Sequence, residues 1–371
     1  MNDKLKKMIL IVIAVFVVLF VFLFLITSCK KKYTPKELET VIIDNANSYY
    51  NRKKEELPKD GEVNTLSLND LVVKGIIDDL SDILDKDTTC SGNLTIENNN
   101  GYYMFSPNIS CLVGQESYSS NNLKDLIMKQ ETTVGNGLYY INNEYYFRGE
   151  NVDNYLIFDG LLWRITKINK DNSIRLIQQT KNASVVWDNR FNIEKNSNIG
   201  YNDLISNNMN SRLKDTLDEY YNGETVLSNN AKGFIKKTTL CVGKRSETDT
   251  LTDGSIECSQ TAPNQYYGLL QANEYMLASL DNNCTTVVSK SCRNYNFIAS
   301  LENSFWSLTA DSSNNYKVFK ISKTVSSANA NTTSMARLVI NISENTSVTG
   351  TGTESDPYVV IGLPKELRKL V

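Results

Sequence analysis

Residues 138–178 read LYYINNEYYFRGENVDNYLIFDGLLWRITKINKDNSIRLIQ, and the punctuation of this stretch decides the fold. Short runs rich in Tyr, Ile, Phe and Trp are separated by Asn142-Asn143, Asp159-Gly160 and Lys170-Asp171-Asn172, clusters of the residue types that most readily accept positive φ. The pattern predicts strands over Tyr139–Ile141, Tyr145–Arg148, Tyr155–Phe158, Leu161–Ile168 and Ile174–Gln178, joined as an antiparallel meander. Further along, helices are expected over Tyr201–Tyr221, where Leu204, Leu213, Leu217 and Tyr220 share a face, and over Gln271–Ser279. Additional strands fit Thr238–Val242, Phe305–Thr309, Lys317–Ile321 and Ala336–Ile342. The expected class is α+β.

Upstream, Asn100-Gly101 is the strongest two-residue hairpin signal in the chain. With these two residues as the loop, Asn99 faces Tyr102, and continuing in register places Cys90 opposite Cys111, at a separation a disulfide can bridge. Pro107 cannot donate to a ladder, so its strand should be an edge or bulged at that point. Before the hairpin, Thr34-Pro35-Lys36-Glu37 is a capping box with Pro at the first helical position. It opens an amphipathic helix carrying Leu38, Val41, Ile42, Ala46 and Tyr49 on one face. Ser67-Leu68-Asn69-Asp70 opens a second, short helix that ends near Gly75. Residues 34–112 therefore form a small helix-plus-hairpin domain, 113–137 read as a linker rich in Ser, Asn and Gly, 138–361 form the second domain, and 362–371 form a tail.

Residues 1–33 are of another kind. Met8–Thr27 contains twenty residues without a charge, flanked by Lys4, Lys6 and Lys7 and by Lys30, Lys31 and Lys32. Twenty helical residues span about 30 Å, the thickness of a bilayer's apolar core, so a transmembrane helix is expected, placing the chain at the cell membrane as a single-pass protein. The stretch exceeds the usual apolar region of a signal peptide, yet Ile26-Thr27-Ser28-Cys29 also matches a lipobox, in which Cys29 would be lipidated after cleavage. Both readings keep the membrane as a partner.

Seven cysteines are present, and with Cys29 set aside six remain in three local pairs: Cys90 with Cys111, Cys241 with Cys258, and Cys284 with Cys292. Neighbours at these spacings are the least costly loops to close, and disulfides imply an oxidising compartment, hence an extracellular bulk of the chain. There is no histidine and no Cys-x-x-Cys, so no metal and no cofactor is assigned. A net charge of −3 with mixed signs gives no footprint for nucleic acid.

The order of elements in residues 1–112 resembles the pilin-like head of Gram-positive surface proteins, although the Gly-Phe cleavage site and the Glu inside the apolar helix of true type IV pilins are missing. Phe158-Asp159-Gly160-Leu161-Leu162-Trp163-Arg164-Ile165, Tyr267-Gly268-Leu269-Leu270, Phe305-Trp306-Ser307-Leu308, Ala336-Arg337-Leu338-Val339-Ile340-Asn341 and the closing Gly350–Val359 together resemble a family of bacterial surface domains with a C-type-lectin-like fold. That resemblance implies a fold rather than an activity. The Glu-Pro-Asn and Gln-Pro-Asp triplets of calcium-dependent lectins do not occur. Trp187, Trp306 and Arg337 are the candidate ligand-contacting residues, two aromatic faces and a guanidinium, with Trp187 the most exposed of them. The polar loops Cys241–Cys258 and Cys284–Cys292 are the expected recognition frames. The expectation is a membrane-anchored binding or adhesion module for a glycan or protein, not an enzyme. A cell-wall-active enzyme and a purely structural surface component are the rivals.

Overall fold

Asn100 and Gly101 both adopt positive φ (57° and 84°), the backbone of a type I′ turn, and the helix Pro35–Arg52 and the short helix Leu68–Val73 pack on the hairpin they close. The computed structural model describes residues 31–180, 183–190, 200–206, 209–368 and 370. The hairpin strands Thr88–Asn99 and Tyr102–Val113 pair without a register shift, with Asn99 opposite Tyr102 and Cys90 opposite Cys111. The Cys90–Cys111 disulfide forms across the open end, with Cα atoms 4.1 Å apart. Val63–Ser67 and Glu116–Ser119 complete a four-stranded antiparallel sheet. The pairing with Glu116–Ser119 covers only Ser110–Val113, so the strand is an edge at Pro107.

Successive residues of the hairpin face opposite sides, and the two sides have different partners. Leu94, Ile96, Phe105 and Ile109 meet the helix Pro35–Arg52, which is opened by the Thr34/Glu37 capping box. That helix presents Leu38, Ile42 and Ala46, all fully buried, at a spacing of four. Each large apolar side chain so buried stabilises by about 1.5–3 kcal/mol. Gly92 lies on this side of the hairpin with φ 139°, and a Cβ there would sit 2.1 Å from the carbonyl oxygen of Asn108. We expect Gly92→Ala to lower stability by at least about 2 kcal/mol, from backbone strain together with a clash that only strand displacement relieves. Urea unfolding checks this, and a loss below about 0.5 kcal/mol contradicts it.

The other side of the hairpin docks on the rest of the chain. Glu97 accepts from Lys236 Nζ (2.7 Å), Ser343 Oγ (2.5 Å) and Asn345 Nδ2 (3.1 Å). Asn99 Nδ2 donates to the Gly233 carbonyl (2.6 Å), Ser347 N donates to Ser106 Oγ (2.8 Å), and Met104 enters the larger core.

That core lies between two sheets. The nine-stranded one runs Val339–Ile342, Ile174–Gln178, Leu161–Ile168, Tyr155–Phe158, Tyr358–Val360, Ser347–Thr349 and Asn121–Asn122, with the hairpin Gly137–Ile141/Glu144–Arg148 joined to Leu161–Ile168. All five meander strands form where the turn residues place them, with Asn142, Asn143, Asp159 and Asn172 at positive φ. The six-stranded sheet runs Ser184–Val186, Thr333–Met335, Phe305–Asp311, Lys317–Ile321 and Val325–Asn329, with Lys244–Arg245 parallel to Phe305–Asp311.

Several expectations are corrected. Among the described residues the chain is mostly β, 35% strand against 22% helix, rather than α+β. Among the described residues no helix is long and apolar enough to cross a membrane, and Met8–Thr27 and Cys29 lie outside those residues. Residues 113–137 are no bare linker. Glu116–Ser119 joins the first sheet, Asn121–Asn122 the second, and the helix Leu123–Met128 buries Leu123 and Ile127 in the larger core. The tail is also engaged, because Leu363 is buried in that core and a Cβ at Gly362 would press on the Phe105 carbonyl. The helix expected over Tyr201–Tyr221 begins only at Arg212, because Ser211 caps it by accepting from Lys214 N, and Leu204 reaches the core from a bend instead.

Candidate functional site

Arg175 and Lys167 are direct cross-strand partners, an arrangement of like charges that is unfavourable unless anions intervene. Two do. Glu274, on the helix Ala272–Ala278, approaches Arg175 Nε at 2.6 Å and Lys167 Nζ at 3.7 Å. Glu144, on the neighbouring strand, accepts from Lys167 Nζ at 3.0 Å and from the Tyr146 hydroxyl at 2.5 Å. Arg175 further donates to the Leu269 carbonyl (3.3 Å) and to Asn341 Oδ1 (3.4 Å). Burial pushes the Glu144 carboxyl up, but the Lys167 charge and the hydrogen bonds from Tyr146 and Lys167 outweigh it and hold the group below the usual carboxylate range.

This network is the floor of a cleft of 640 Å³ whose far wall is the loop closed by the Cys241–Cys258 disulfide. Within that loop Arg245 and Glu257, both fully buried, pair through two bonds, Nε to Oε1 at 2.7 Å and Nη2 to Oε2 at 3.0 Å. Arg245 also donates to the Asp249 and Leu251 carbonyls. Glu257 Oε1 accepts from the backbone of Asn273, and Gln271 Nε2 donates to the Cys241 carbonyl, so the loop is bolted to the helix that carries Glu274. The bend at Gly254, with φ 80°, lies over Asn273, and a Cβ added to Gly254 would stand 3.2 Å from Asn273 Nδ2. Asn273 itself is 2% exposed, and its buried Oδ1 has no hydrogen-bond partner among the described residues.

The lining is charge-balanced. Lys167, Lys170, Arg175 and Lys237 face Glu144, Asp171 and Asp253, with Glu274 beneath, and the remaining polar groups are amides and hydroxyls such as Asn169, Thr238, Thr239 and Asn264. A surface of this kind offers paired donors and acceptors without a net field, which suits a neutral, hydrogen-bonding ligand. Two larger hollows lack such a floor. The one of 1080 Å³ beside Val185 and Arg212 has no buried lining residue. In the one of 880 Å³ beside Arg293 and Tyr295, the buried Asn296 already has its amide bonded to Tyr275, Cys292 and Ile298.

The candidate ligand-contacting residues are placed elsewhere. Trp187 and Trp306 are 0% exposed and meet edge to face at 6.2 Å, with their indole N–H groups satisfied by the Asp203 and Val185 carbonyls. Arg337 is buried and donates to the carbonyls of Gln178, Gln179 and Glu302, tying two loops together. These three are core residues, not a ligand surface. All three disulfides are present, and the Cys241–Cys258 loop, singled out as a recognition frame, does border the cleft. The residues that build the floor, Glu144, Lys167, Arg175, Asn273 and Glu274, were not singled out. Their signal was an arginine in the middle of the otherwise apolar Ile174–Ile177. Among the described residues no group of three or more His, Cys, Asp or Glu side chains is arranged to hold a metal ion.

No family model, no curated protein and no solved structure matches the chain. The pilin-like and lectin-like resemblances gain no support from these comparisons.

Proposed function

We propose that this chain is a binding module working outside the cytoplasm, joined to the membrane through Met8–Thr27, with the cleft over Lys167, Arg175 and Asn273 as its recognition site and a neutral glycan as its ligand. The observation that carries the reading is the cleft lining, where the buried charges of the floor pair among themselves, the exposed Lys170 and Lys237 are matched in number by Asp171 and Asp253, and amides and hydroxyls make up the rest of the polar surface. Buried polar networks of this kind hold a site rigid, which lowers the ordering cost of binding. The three disulfides support the compartment, because such bonds persist where thiols are not kept reduced.

Calorimetric titration of the full-length chain with cellotetraose and with chitotetraose tests the reading. We expect saturable heat with at least one of them, and loss of that heat in Thr239→Trp, which fills the cleft from an exposed position. Saturable binding that survives Thr239→Trp unchanged contradicts the assignment of the site, and absence of binding to both contradicts the ligand class.

A further inference from the structure

The buried cations of the described chain are matched, with one exception. Arg175, Arg245 and Lys214 meet carboxylates, and Arg164 and Arg337 meet amide and backbone oxygens. Lys232 meets neither. It is 4% exposed, and its ammonium makes no hydrogen bond or ion pair with a described residue. It lies instead between two rings, with Nζ 5.3 Å from the centroid of Tyr102 and 4.9 Å from that of Tyr221. Cation–π contact offsets part of the cost of taking an ammonium out of water, but it supplies no acceptor for the three N–H groups. Nζ is not one of the unbonded nitrogens that the fold closes off from solvent, so a ligand can reach it.

The position is fixed from both ends. Ser228, just before the helix Asn229–Lys232, donates its N–H and its hydroxyl to the Asp159 carboxylate. Gly233, just after it, accepts from Asn99 Nδ2 and lies so close to the hairpin that a Cβ there would meet the Tyr103 carbonyl oxygen at 2.6 Å. Lys232 is thereby held beside Tyr102. Tyr221 is in turn held by stacking on Tyr266, with centroids 4.1 Å apart, and by the edge of Tyr267 at 5.4 Å. Tyr102 is half-buried, and its hydroxyl also makes no bond with a described residue. Packing alone does not account for the lysine, since an apolar side chain would fill the space between two phenol rings without desolvating a charge.

We infer that Lys232 is an oxyanion site outside the cleft, taking a carboxylate or a phosphate ester beside the Tyr102 and Tyr221 rings. An ammonium largely stripped of water attracts an anion more strongly than one on open surface, because water and salt screen the pair less. The hydrogen bonds it donates are charge-assisted. A neutral hydroxyl can accept from the same N–H groups but leaves the charge uncompensated, so an anion is preferred. With so little of the residue exposed, the opening admits one slender group rather than a broad charged surface. The site does not rest on the reading of the cleft.

The test is NMR of the full-length chain with isotope-labelled tyrosine rings, titrated with glucuronate, glycerol 3-phosphate and methyl glucoside at an ionic strength held constant with potassium chloride. The expected result is saturable shifts of the Tyr102 and Tyr221 ring signals with one or both anions and none with methyl glucoside. Lys232→Met, which keeps the length of the side chain and removes its charge, should weaken that binding about tenfold or more. A response to glucuronate alone identifies a carboxylate as the group bound, a response to glycerol 3-phosphate alone identifies a phosphate ester, and either supports the site. Tyr102→Leu removes one ring, keeps the ammonium and should weaken the same anions several-fold; it carries the comparison if Lys232→Met does not fold. Unchanged affinity in Lys232→Met overturns the inference, as does unchanged affinity in Tyr102→Leu where that variant carries the comparison. Equal shifts with methyl glucoside overturn it, and so does the absence of saturable shifts with both anions. The same shifts on raising potassium chloride alone would show an adventitious ion only and also overturn it. None of these failures touches the cleft, which the chitotetraose and cellotetraose titrations measure separately.

Discussion

Replacing Glu257 with alanine is expected to lower the unfolding free energy by about 3–5 kcal/mol, the largest effect of any single carboxylate in the described chain. Glu257 is fully buried and so is its partner Arg245, so the substitution leaves a guanidinium in the interior with only the Asp249 and Leu251 carbonyls to receive it. It also removes the acceptor for the Asn273 backbone N–H. Because the pair lies inside the Cys241–Cys258 loop, the damage is local to the wall of the cleft as well as global. Glu257→Gln keeps the shape and one acceptor, and should cost distinctly less. Urea unfolding of the full-length chain measures both, and a loss below about 1 kcal/mol for the alanine variant would mean that Arg245 finds other partners and that the loop is not organised around this pair.

The second large effect belongs to Glu97, the hinge between the hairpin domain and the rest of the chain. Alanine there strips the acceptor from Lys236, Ser343 and Asn345 at once, and we expect a loss of about 2–4 kcal/mol. The pH dependence gives the same residue a second signature. Burial pushes the Glu97 carboxyl up, but the hydrogen bonds from Lys236, Ser343 and Asn345 together outweigh it and leave it below the usual carboxylate range. A carboxylate with a lowered folded pKa contributes stability that is present above its unfolded pKa, about 4.3, and is lost as pH falls through the folded value. Unfolding measured from neutral pH down to acid should therefore show an acid limb that is shallower in Glu97→Gln than in the parent. Parallel acid limbs would show that the carboxylate's ionisation does not hold the two parts together.

What could be read from the residues alone follows the range of the interactions involved. The Asn100-Gly101 hairpin and its Cys90–Cys111 closure were legible because a type I′ turn fixes register by counting, and both cysteines lie within that count. The five strands of residues 137–178 were legible for the same reason, since Asn142-Asn143 and Asp159-Gly160 take positive φ, but their order was not, because Glu144–Arg148 pairs with Leu161–Ile168 rather than with Tyr155–Phe158. Trp187 was misplaced because its neighbours Asp188, Asn189 and Arg190 look solvated. Asp188 is in fact 1% exposed, its carboxylate held by Arg190 and by the Tyr201 backbone, and the indole beside it is driven into the core against Trp306. The strands after residue 240 include pieces of only two and three residues, too short for alternation to show, and they turn the balance of the chain toward β. The floor of the cleft was hidden for a different reason. Arg175 meets Glu274 across 99 positions, and no local pattern announces a pair that only the packing of the helix Ala272–Ala278 against the sheet brings together.

The measurement that bears most directly on this account is amide NMR of the full-length chain titrated with chitotetraose, because it locates binding without altering a residue. The account predicts progressive shifts confined to the cleft, at Asn169, Thr239, Asn264 and the Asn273 side-chain amide, with Gly114, at the open end of the hairpin beyond the Cys90–Cys111 disulfide, unchanged. Shifts confined instead to exposed aromatic surface such as Tyr140 or Tyr295, or no shift at saturating sugar, would contradict it.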